Sequence, residues 1–531
     1  MKSHSFIKGA AVVAAGGLLA KMMGAVYRIL LMDALGGRGM GMYQMVFPLY
    51  SLLLTLAATG VPSALARLVA ERAEGQGRAV LRAALPLFAA VGGLGSLAMF
   101  LLAPAVAAAQ SEPSAAAAYR LLAPSVLLVA AVACLRGYFQ GNSRFAPGAL
   151  SELVEQAVKI AFGLFFARLY AGDAARAVSG AVFAVTLSEL AALAFLAACA
   201  GRRRALPLAA RSLAFARTFG WGKKVPFAPP CARSPADGPR AGELLRAVLP
   251  VAVAAGALPL CSLAESILIV RLVGRYAENA TALYGLYAGA ATSLVNLPVS
   301  VCYGLAAASI PSVAALRAAG RTVEAEERAL FALKCTLYLA FPAAAALFAF
   351  PAPVCSLLFR LPAEEGETLA RLVRILSLSA VPLAAVQTLS ACLTGLGRSK
   401  RAALSVALAC ALRLGAEAVL LRYPQISVFG AAYAAGGCYL VAFLLNLYYS
   451  IKERKNRIRI GGHALKFALL SAAAAGAAWP LRELSVFAAL AAAAAVYLAL
   501  SVPLRAFRPE EVRLAWRNRY DRTRRTWLQP R

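Results

Sequence analysis

The chain has 531 residues, of which 61% are hydrophobic and only 15% charged, with a mean hydropathy of +0.70. Soluble domains carry roughly 25% charged residues, so this sequence cannot supply the polar surface of an aqueous globular enzyme. The net charge of +31 lies mostly in connections and at the C-terminus, where it follows membrane topology and does not call for nucleic acid.

Apolar runs of about 20 residues, each long enough to cross a hydrocarbon core near 30 Å thick, recur along the whole length. The stretch from Lys2 to Ala20 has the look of a signal peptide. It continues past Lys21 to Met32 without a cleavage site, and so reads as the first span. The predicted spans are 6–32, 41–61, 80–104, 119–138, 149–170, 177–200, 245–272, 282–304, 328–350, 368–392, 402–422, 427–450, 464–480 and 484–505, about fourteen in all. The predicted fold is therefore all-α and integral to the membrane.

Lys and Arg set the orientation. With the N-terminus inside, one side carries Arg67, Arg72, Arg78, Arg82, Arg136, Arg144, the 201–243 segment, Arg317, Arg321, Arg398, Lys400, Arg401, the 452–459 cluster and the tail. The other side carries Arg38, Arg168, Arg176, Arg271, Arg275, Arg360, Arg422 and Arg482, and its 105–118 loop has none. Both termini are expected in the cytoplasm.

The basic, Pro-rich 201–243 segment separates two six-span blocks, 1–200 and 244–451. Residues 452–505 hold two extra spans and 506–531 a basic tail. The blocks echo each other. Gly41-Met42-Tyr43 matches Gly285-Leu286-Tyr287, Gly60 matches Gly304, and Phe139–Arg144 parallels Leu393–Arg398. Equal orientation implies a parallel repeat, with a substrate site between the halves.

Ionisable groups inside spans call for an explanation. Lys21 and Arg28 are seven residues apart, so they share a helical face about 10 Å apart, with Gly17 and Gly24 on the same stripe. Two readings stand: a cationic face lining a cavity, or Arg28 reaching the interface while Lys21 pairs with an acid. Glu152, Glu155 and Lys159 share a face of span five, and Glu155 can pair with Lys159 inside the helix. Glu189 lies in span six, Glu265 in span seven, and Arg371 and Arg374 at the start of span ten. Arg413 and Glu417 form an i, i+4 pair in span eleven. Tyr43, Tyr287, Asn296 and Gln387 can line the same interior or serve as polar glue between helices. The candidate binding set is Lys21, Arg28, Tyr43, Glu155, Lys159, Asn296, Arg371 and Arg374. Glu189, Glu265 and Glu417 are candidates for ion coupling.

No nucleophile–base pair stands out and no Walker motif is present. His4 and His463 sit near span ends. Glu364, Glu365 and Glu367 read as a solvated outer loop. The ten Cys are scattered singly and hold no CxxC pair, so neither a metal nor another cofactor is expected. In the tail, Val512, Trp516 and Tyr520 recur at four-residue spacing among Arg. They read as a basic amphipathic helix on anionic lipid, or as a disordered basic tail.

Four stretches carry a resemblance: Gly36–Gln44 leading into Phe47-Pro48-Leu49-Tyr50, Thr59–Glu71, Arg136–Gly141, and Leu305–Pro311. Together they resemble the polysaccharide biosynthesis and stage V sporulation protein B branch of the multidrug/oligosaccharidyl-lipid/polysaccharide exporter superfamily, related to lipid II flippases. The likeness covers nearly the whole chain. It implies two helical bundles around a central cavity and a flippase moving a lipid-linked sugar from the inner to the outer leaflet by alternating access. It also implies span-one cations that meet a polyprenyl pyrophosphate, for which Lys21 and Arg28 are of the right type and share a face. Peptidoglycan, spore cortex and other polysaccharide precursors remain open as cargo, and cell-wall synthesis enzymes as partners. The rivals are a multidrug or cation antiporter of the same superfamily, which needs an acidic, aromatic-lined cavity, and a membrane glycosyltransferase or polymerase, which needs large acidic outer loops.

Overall fold

The computed structural model describes residues 2–72, 76–201, 241–451, 460–482, 485–504 and 506–507. The expectations for the 201–243 connection, the 452–459 cluster and the basic tail fall almost wholly outside the described residues. Among the described residues every regular element is helical.

The first helix, α1 (Lys2–Ala58), runs through both of the first two predicted spans. The expected loop between them is reduced to one residue, Gly36, whose φ of 67° breaks the rod. With ψ at 179° this is a region essentially confined to glycine, costing a residue with a Cβ about 1–3 kcal/mol. Gly60 then turns the chain into α2 (Val61–Ala70), followed by α3 (Gly77–Ala109), α4 (Ala116–Gly141), α5 (Phe145–Leu169) and α6 (Ala174–Gly201).

Span seven is broken at Gly256 into α7 (Ala241–Ala255) and α8 (Ala257–Val273). Span eight comprises α9 (Ala280–Tyr284), a π-helical turn (Gly285–Ala291) and α10 (Thr292–Ala318), and so extends 14 residues past its expected end at 304. The chain continues as α11 (Thr322–Ala349), α12 (Pro351–Leu358), α13 (Ala363–Gly395), α14 (Ser399–Leu420) and α15 (Phe429–Ile451). It ends with α16 (Ile460–Ala478) and α17 (Val486–Ser501).

Ten helical stretches are long and apolar enough to cross a membrane, one of them the 52-residue Leu19–Ala70 that covers two crossings. Helix α5 falls outside that set because Glu152, Glu155 and Lys159 interrupt its apolar run. The pair α7–α8 falls outside it because of its break, and α17 because it is 16 residues long. With these three the fourteen predicted segments are all present as helices, in order. Large apolar side chains such as Leu94, Leu101, Phe165 and Phe487 stand exposed on the outside, as acyl-chain contact requires and water does not permit.

Helices α1 to α6 pack into one lobe, mainly through α3 on α4, α5 on α6 and α1 on α5. The second lobe is centred on α13, which contacts α10, α11 and α15. The extra helices α16 and α17 lie against this lobe: Phe467, Leu470 and Tyr497 bury against Leu333 and Leu337 of α11. The lobes meet along α1, which touches α8, α9, the π-turn and α10. Leu244 and Val248 of α7 bury against Val61, Leu65, Val80 and Phe88, so the first half of span seven leans on the opposite lobe.

Candidate functional site

The spacing argument for span one holds geometrically. A Cβ on Gly17 would lie 3.7 Å from Glu152 Oε2 and one on Gly24 3.4 Å from Gln156 Oε1, so the stripe faces α5. Lys21 is in electrostatic reach of Glu152. Arg28 is exposed, in reach of Lys159 and Tyr43, and neither it nor Lys21 is among the residues lining the cavity described below. Its Nη1 donates to Ser293 Oγ of α10 at 3.5 Å, crossing from one lobe to the other.

Behind this face lies a network that sequence spacing assigned differently. Glu155 pairs with Arg136 of α4 at 3.0 Å, where helical spacing favoured Lys159. Arg136 Nε also donates to Ser151 Oγ at 3.0 Å. Arg136, read above as a connection residue, is thus half-buried inside the lobe. Glu189 is buried beside Glu155, Lys159 and Arg136. This lobe therefore gathers four cations (Lys21, Arg28, Arg136, Lys159) and three carboxylates (Glu152, Glu155, Glu189) within mutual reach.

The second lobe holds a smaller group of opposite balance. Arg413 Nε donates to Glu417 Oε1 at 2.8 Å, and Nη2 donates to Tyr287 Oη at 2.6 Å and also to Glu265. Tyr287 Oη in turn donates to Glu265 Oε1 at 2.8 Å. The pair expected within span eleven is therefore present, but its arginine is shared with span seven. The Glu417 side chain is fully buried, and its Oε2 has no hydrogen-bond partner among the described residues. The π-turn brings Tyr287 to this group, and Thr292 Oγ1 caps the Tyr287 carbonyl at 2.8 Å.

A cavity of about 360 Å³ opens between the lobes beside this group, lined among others by Gln44, Phe47, Tyr284, Asn296, Arg413 and Tyr439. Of the predicted binding residues, Asn296 lines it directly. Tyr43 is buried against Phe47, ring centroids 4.7 Å apart. Arg371 and Arg374 do not line it: Arg371 covers the Phe429 ring at 4.7 Å, and Arg374 is exposed on the same helix. Gln44, Phe47, Tyr284 and Tyr439 were not singled out from the sequence. For Gln44, Phe47 and Tyr284 the signal was the match between Gly41–Tyr43 and Gly285–Tyr287, which marks two segments that meet here; Tyr439 had none.

At the end of the lobes opposite the α6–α7 connection, the cleft is shut. Gln110 Nε2 donates to Ser266 Oγ at 2.9 Å and to Met45 O at 3.1 Å. Arg38 pairs with Glu112 at 3.4 Å, and Thr281 Oγ1 donates to the other Glu112 oxygen at 3.2 Å. The backbones touch: a Cβ on Gly41 would overlap the Thr281 carbonyl, and one on Gly285 the Gly37 carbonyl. The Arg360 N–H donates to Asp33 Oδ1 at 3.0 Å. Glu365, next to Glu364, packs beside Gly37, and burial together with that second carboxylate raises its proton affinity above the usual carboxylate range.

Two helical lobes, a polar cleft between them and a closed end define a multi-pass membrane transporter. The family model for "Polysaccharide biosynthesis protein" matches residues 6–222 and that for "MatE" residues 259–416. The chain is 26% identical over 528 residues to stage V sporulation protein B of Bacillus subtilis (strain 168), covering 97% of this chain and 98% of that one. It is 26% identical over 211 residues to the lipid II flippase MurJ of the same organism, covering 36% of this chain and 39% of that one. Among solved structures, it superposes on the lipid II flippase MurJ in its inward closed conformation with a TM-score of 0.65 at 13% identity, covering 93% of this chain and 99% of that one. It superposes on the inward-facing conformation of a multidrug resistance MATE family transporter of the MOP superfamily with a TM-score of 0.66 at 17% identity, covering 84% and 96%. Along nearly its whole length the chain is thus similar to stage V sporulation protein B, and its two halves match the polysaccharide biosynthesis protein and MatE models.

Proposed function

We propose that the protein moves a lipid-linked sugar, carried on a polyprenyl pyrophosphate, from the inner to the outer leaflet of the cell membrane, with both termini cytoplasmic. The observation that carries this reading is the cationic face of α1. Arg28 is exposed and reaches across to the facing lobe, and the polar group to which it belongs holds four cations, Arg28 included, against three carboxylates. A pyrophosphate diester brings about two negative charges, which ammonium and guanidinium donors at Lys21 and Arg28 meet directly. The polyprenyl tail can stay in lipid while the cleft shelters the headgroup.

Residues 1–200 and 244–451 act as the two moving lobes, with 452–505 riding on the second, and the 201–243 connection and the 506–531 tail facing anionic lipid. The closed end is the outer one in this orientation. Opening it means parting Gly41 from Thr281 and releasing Glu112 from Arg38 and Thr281. With a negative cytoplasm, exporting two negative charges is favoured by roughly 4–5 kcal/mol per 100 mV. No chemical step is required, so the protein acts as a carrier and not as an enzyme. Glu265 and Glu417 share one arginine, leaving the buried group one negative charge in excess and Glu417 Oε2 unmatched. A buried uncompensated charge is costly, so a proton or a small cation completes the group, which supports these acids, with Glu189, as coupling sites.

The test is flipping of defined lipid-linked pyrophosphate sugars in reconstituted vesicles under an imposed potential. Protection of the sugar from an external enzyme should grow or fade with the sign of the potential, and no movement of any such lipid would end the reading. A second reading draws on the cavity between the lobes, which Tyr284, Tyr287, Tyr439 and Phe47 line together with Glu265. Aromatic faces beside a carboxylate suit an organic cation. Dye resistance that disappears in Glu265→Gln would favour an antiporter.

A further inference from the structure

A second cavity, of about 450 Å³, lies at the opposite end of the N-terminal lobe from the closed gate. The start of α3 and the ends of α4 and α6 meet there, and Arg78, Leu81, Arg82, Tyr138, Ala200 and Gly201 line it. Among the described residues no carboxylate lines it. Arg78 and Arg82 are one helical turn apart and both exposed, a like-charge spacing that destabilises a helix unless an anion intervenes. Among the described residues, Arg78 Nη2 donates to the Ala200 carbonyl at 3.4 Å. Glu71 at the end of α2 is turned to Arg67 at 3.7 Å.

The chain adds charge of the same sign. After Gly201 come Arg202, Arg203 and Arg204, and eight Lys or Arg precede the first acid, Asp237. The start of α3 has no side-chain cap, so its free N–H groups add to the pull on an anion. The inner wall is apolar: Leu81 and Tyr138 pack with Val132, Phe139, Leu193 and Phe195. A cationic rim over an apolar wall at the edge of a membrane lobe matches a phosphate that carries acyl chains better than a free ion.

We propose that this cavity is a binding site for the phosphate of an anionic phospholipid, gripped by Arg78 and Arg82 above Leu81 and Tyr138. The site depends on the orientation that puts this end in the cytoplasmic leaflet, and not on which sugar the central cleft carries. A lipid seated there ties the ends of α3, α4 and α6 together while α1 and the second lobe move.

The test is native mass spectrometry of the full chain released from nanodiscs of phosphatidylcholine containing phosphatidylglycerol, with R78Q/R82Q and R78K/R82K variants. At about 1 kcal/mol for each basic residue near an anionic surface, the double Gln variant should retain phosphatidylglycerol roughly thirtyfold less well, at about tenfold per 1.4 kcal/mol. The Lys variant should retain most of it, and thermal unfolding in lipid-free detergent should match the parent for both. Equal retention of phosphatidylglycerol and phosphatidylcholine by the parent, or unchanged retention by R78Q/R82Q, would overturn the proposal. Displacement of the lipid by millimolar inorganic phosphate would assign the site to the free anion and overturn the lipid assignment.

Discussion

The two lobes treat buried charge in opposite ways. In the first, four cations and three carboxylates are spread over α1, α4, α5 and α6, and Arg28 at the edge of the group touches the facing lobe through a single 3.5 Å contact. In the second, one guanidinium is held by two carboxylates and a phenol, with side-chain exposures of 11% for Arg413 and 0% for Glu417. A loosely held cation can exchange its partner for a ligand at low cost, because its desolvation is incomplete. A fully enclosed one cannot, because each lost partner leaves a buried charge exposed to a low-dielectric surround. On the function proposed above, this contrast fits recognition of an anion by the first lobe and a framework role for the Arg413 group of the second.

The contrast is broken most sharply by Arg413→Gln. It leaves Glu265 and Glu417 buried without their counter-ion, and the expected loss is about 3–5 kcal/mol, seen as a large fall in the thermal unfolding temperature. A triple change that also neutralises Glu265 and Glu417 should recover most of it. Removal of the exposed Arg28 should lower the unfolding temperature far less, which would separate the lobes on one assay.

Gly285→Val tests the closed end. The added side chain meets the Gly37 carbonyl and Gly41, and overpacking of this kind costs about 1–3 kcal/mol. The population should move toward an open outer end. Spin labels at Ser111 and Glu278 should report a longer separation, and an unchanged distance would mean that the backbone contact is not what holds the end shut.

Tyr287→Phe removes one donor to Glu265 and one acceptor for Arg413. The expected cost is about 1–3 kcal/mol, smaller than for Arg413→Gln because both charges keep their main partner. Arg371→Ala sits at the bottom of the scale. It loses a cation–π contact over the Phe429 ring, about 0.5–1 kcal/mol, and transport should stay near the parent level.

Much of this arrangement was legible in the sequence, where a local rule decides it. Span length gave the fourteen helices, and the seven-residue spacing of Lys21 and Arg28 gave their shared face, because helical geometry alone sets both. The hinge at Gly36 was hidden, since GlyGly in Leu35–Arg38 reads equally well as a loop. The partner of Glu155 was misassigned because a neighbour on α4, Arg136, outcompetes the residue one turn away. The Arg413–Glu265 contact joins residues 148 apart in the chain, and no spacing rule reaches that far. The π-turn at Gly285–Ala291 was equally invisible, although the match of its glycine to Gly41 marked the place where the lobes touch.

The division of labour between the lobes is tested most directly by flipping of a lipid-linked pyrophosphate sugar in vesicles carrying equal amounts of the parent and the Lys21→Gln/Arg28→Gln variant. Losing two charge-assisted contacts at about 1.5–3 kcal/mol each should slow transport at least a hundredfold, while membrane insertion and thermal unfolding stay close to the parent. Transport by the variant at the parent rate would contradict the account, because the cations facing the cleft would then have no part in holding the anion.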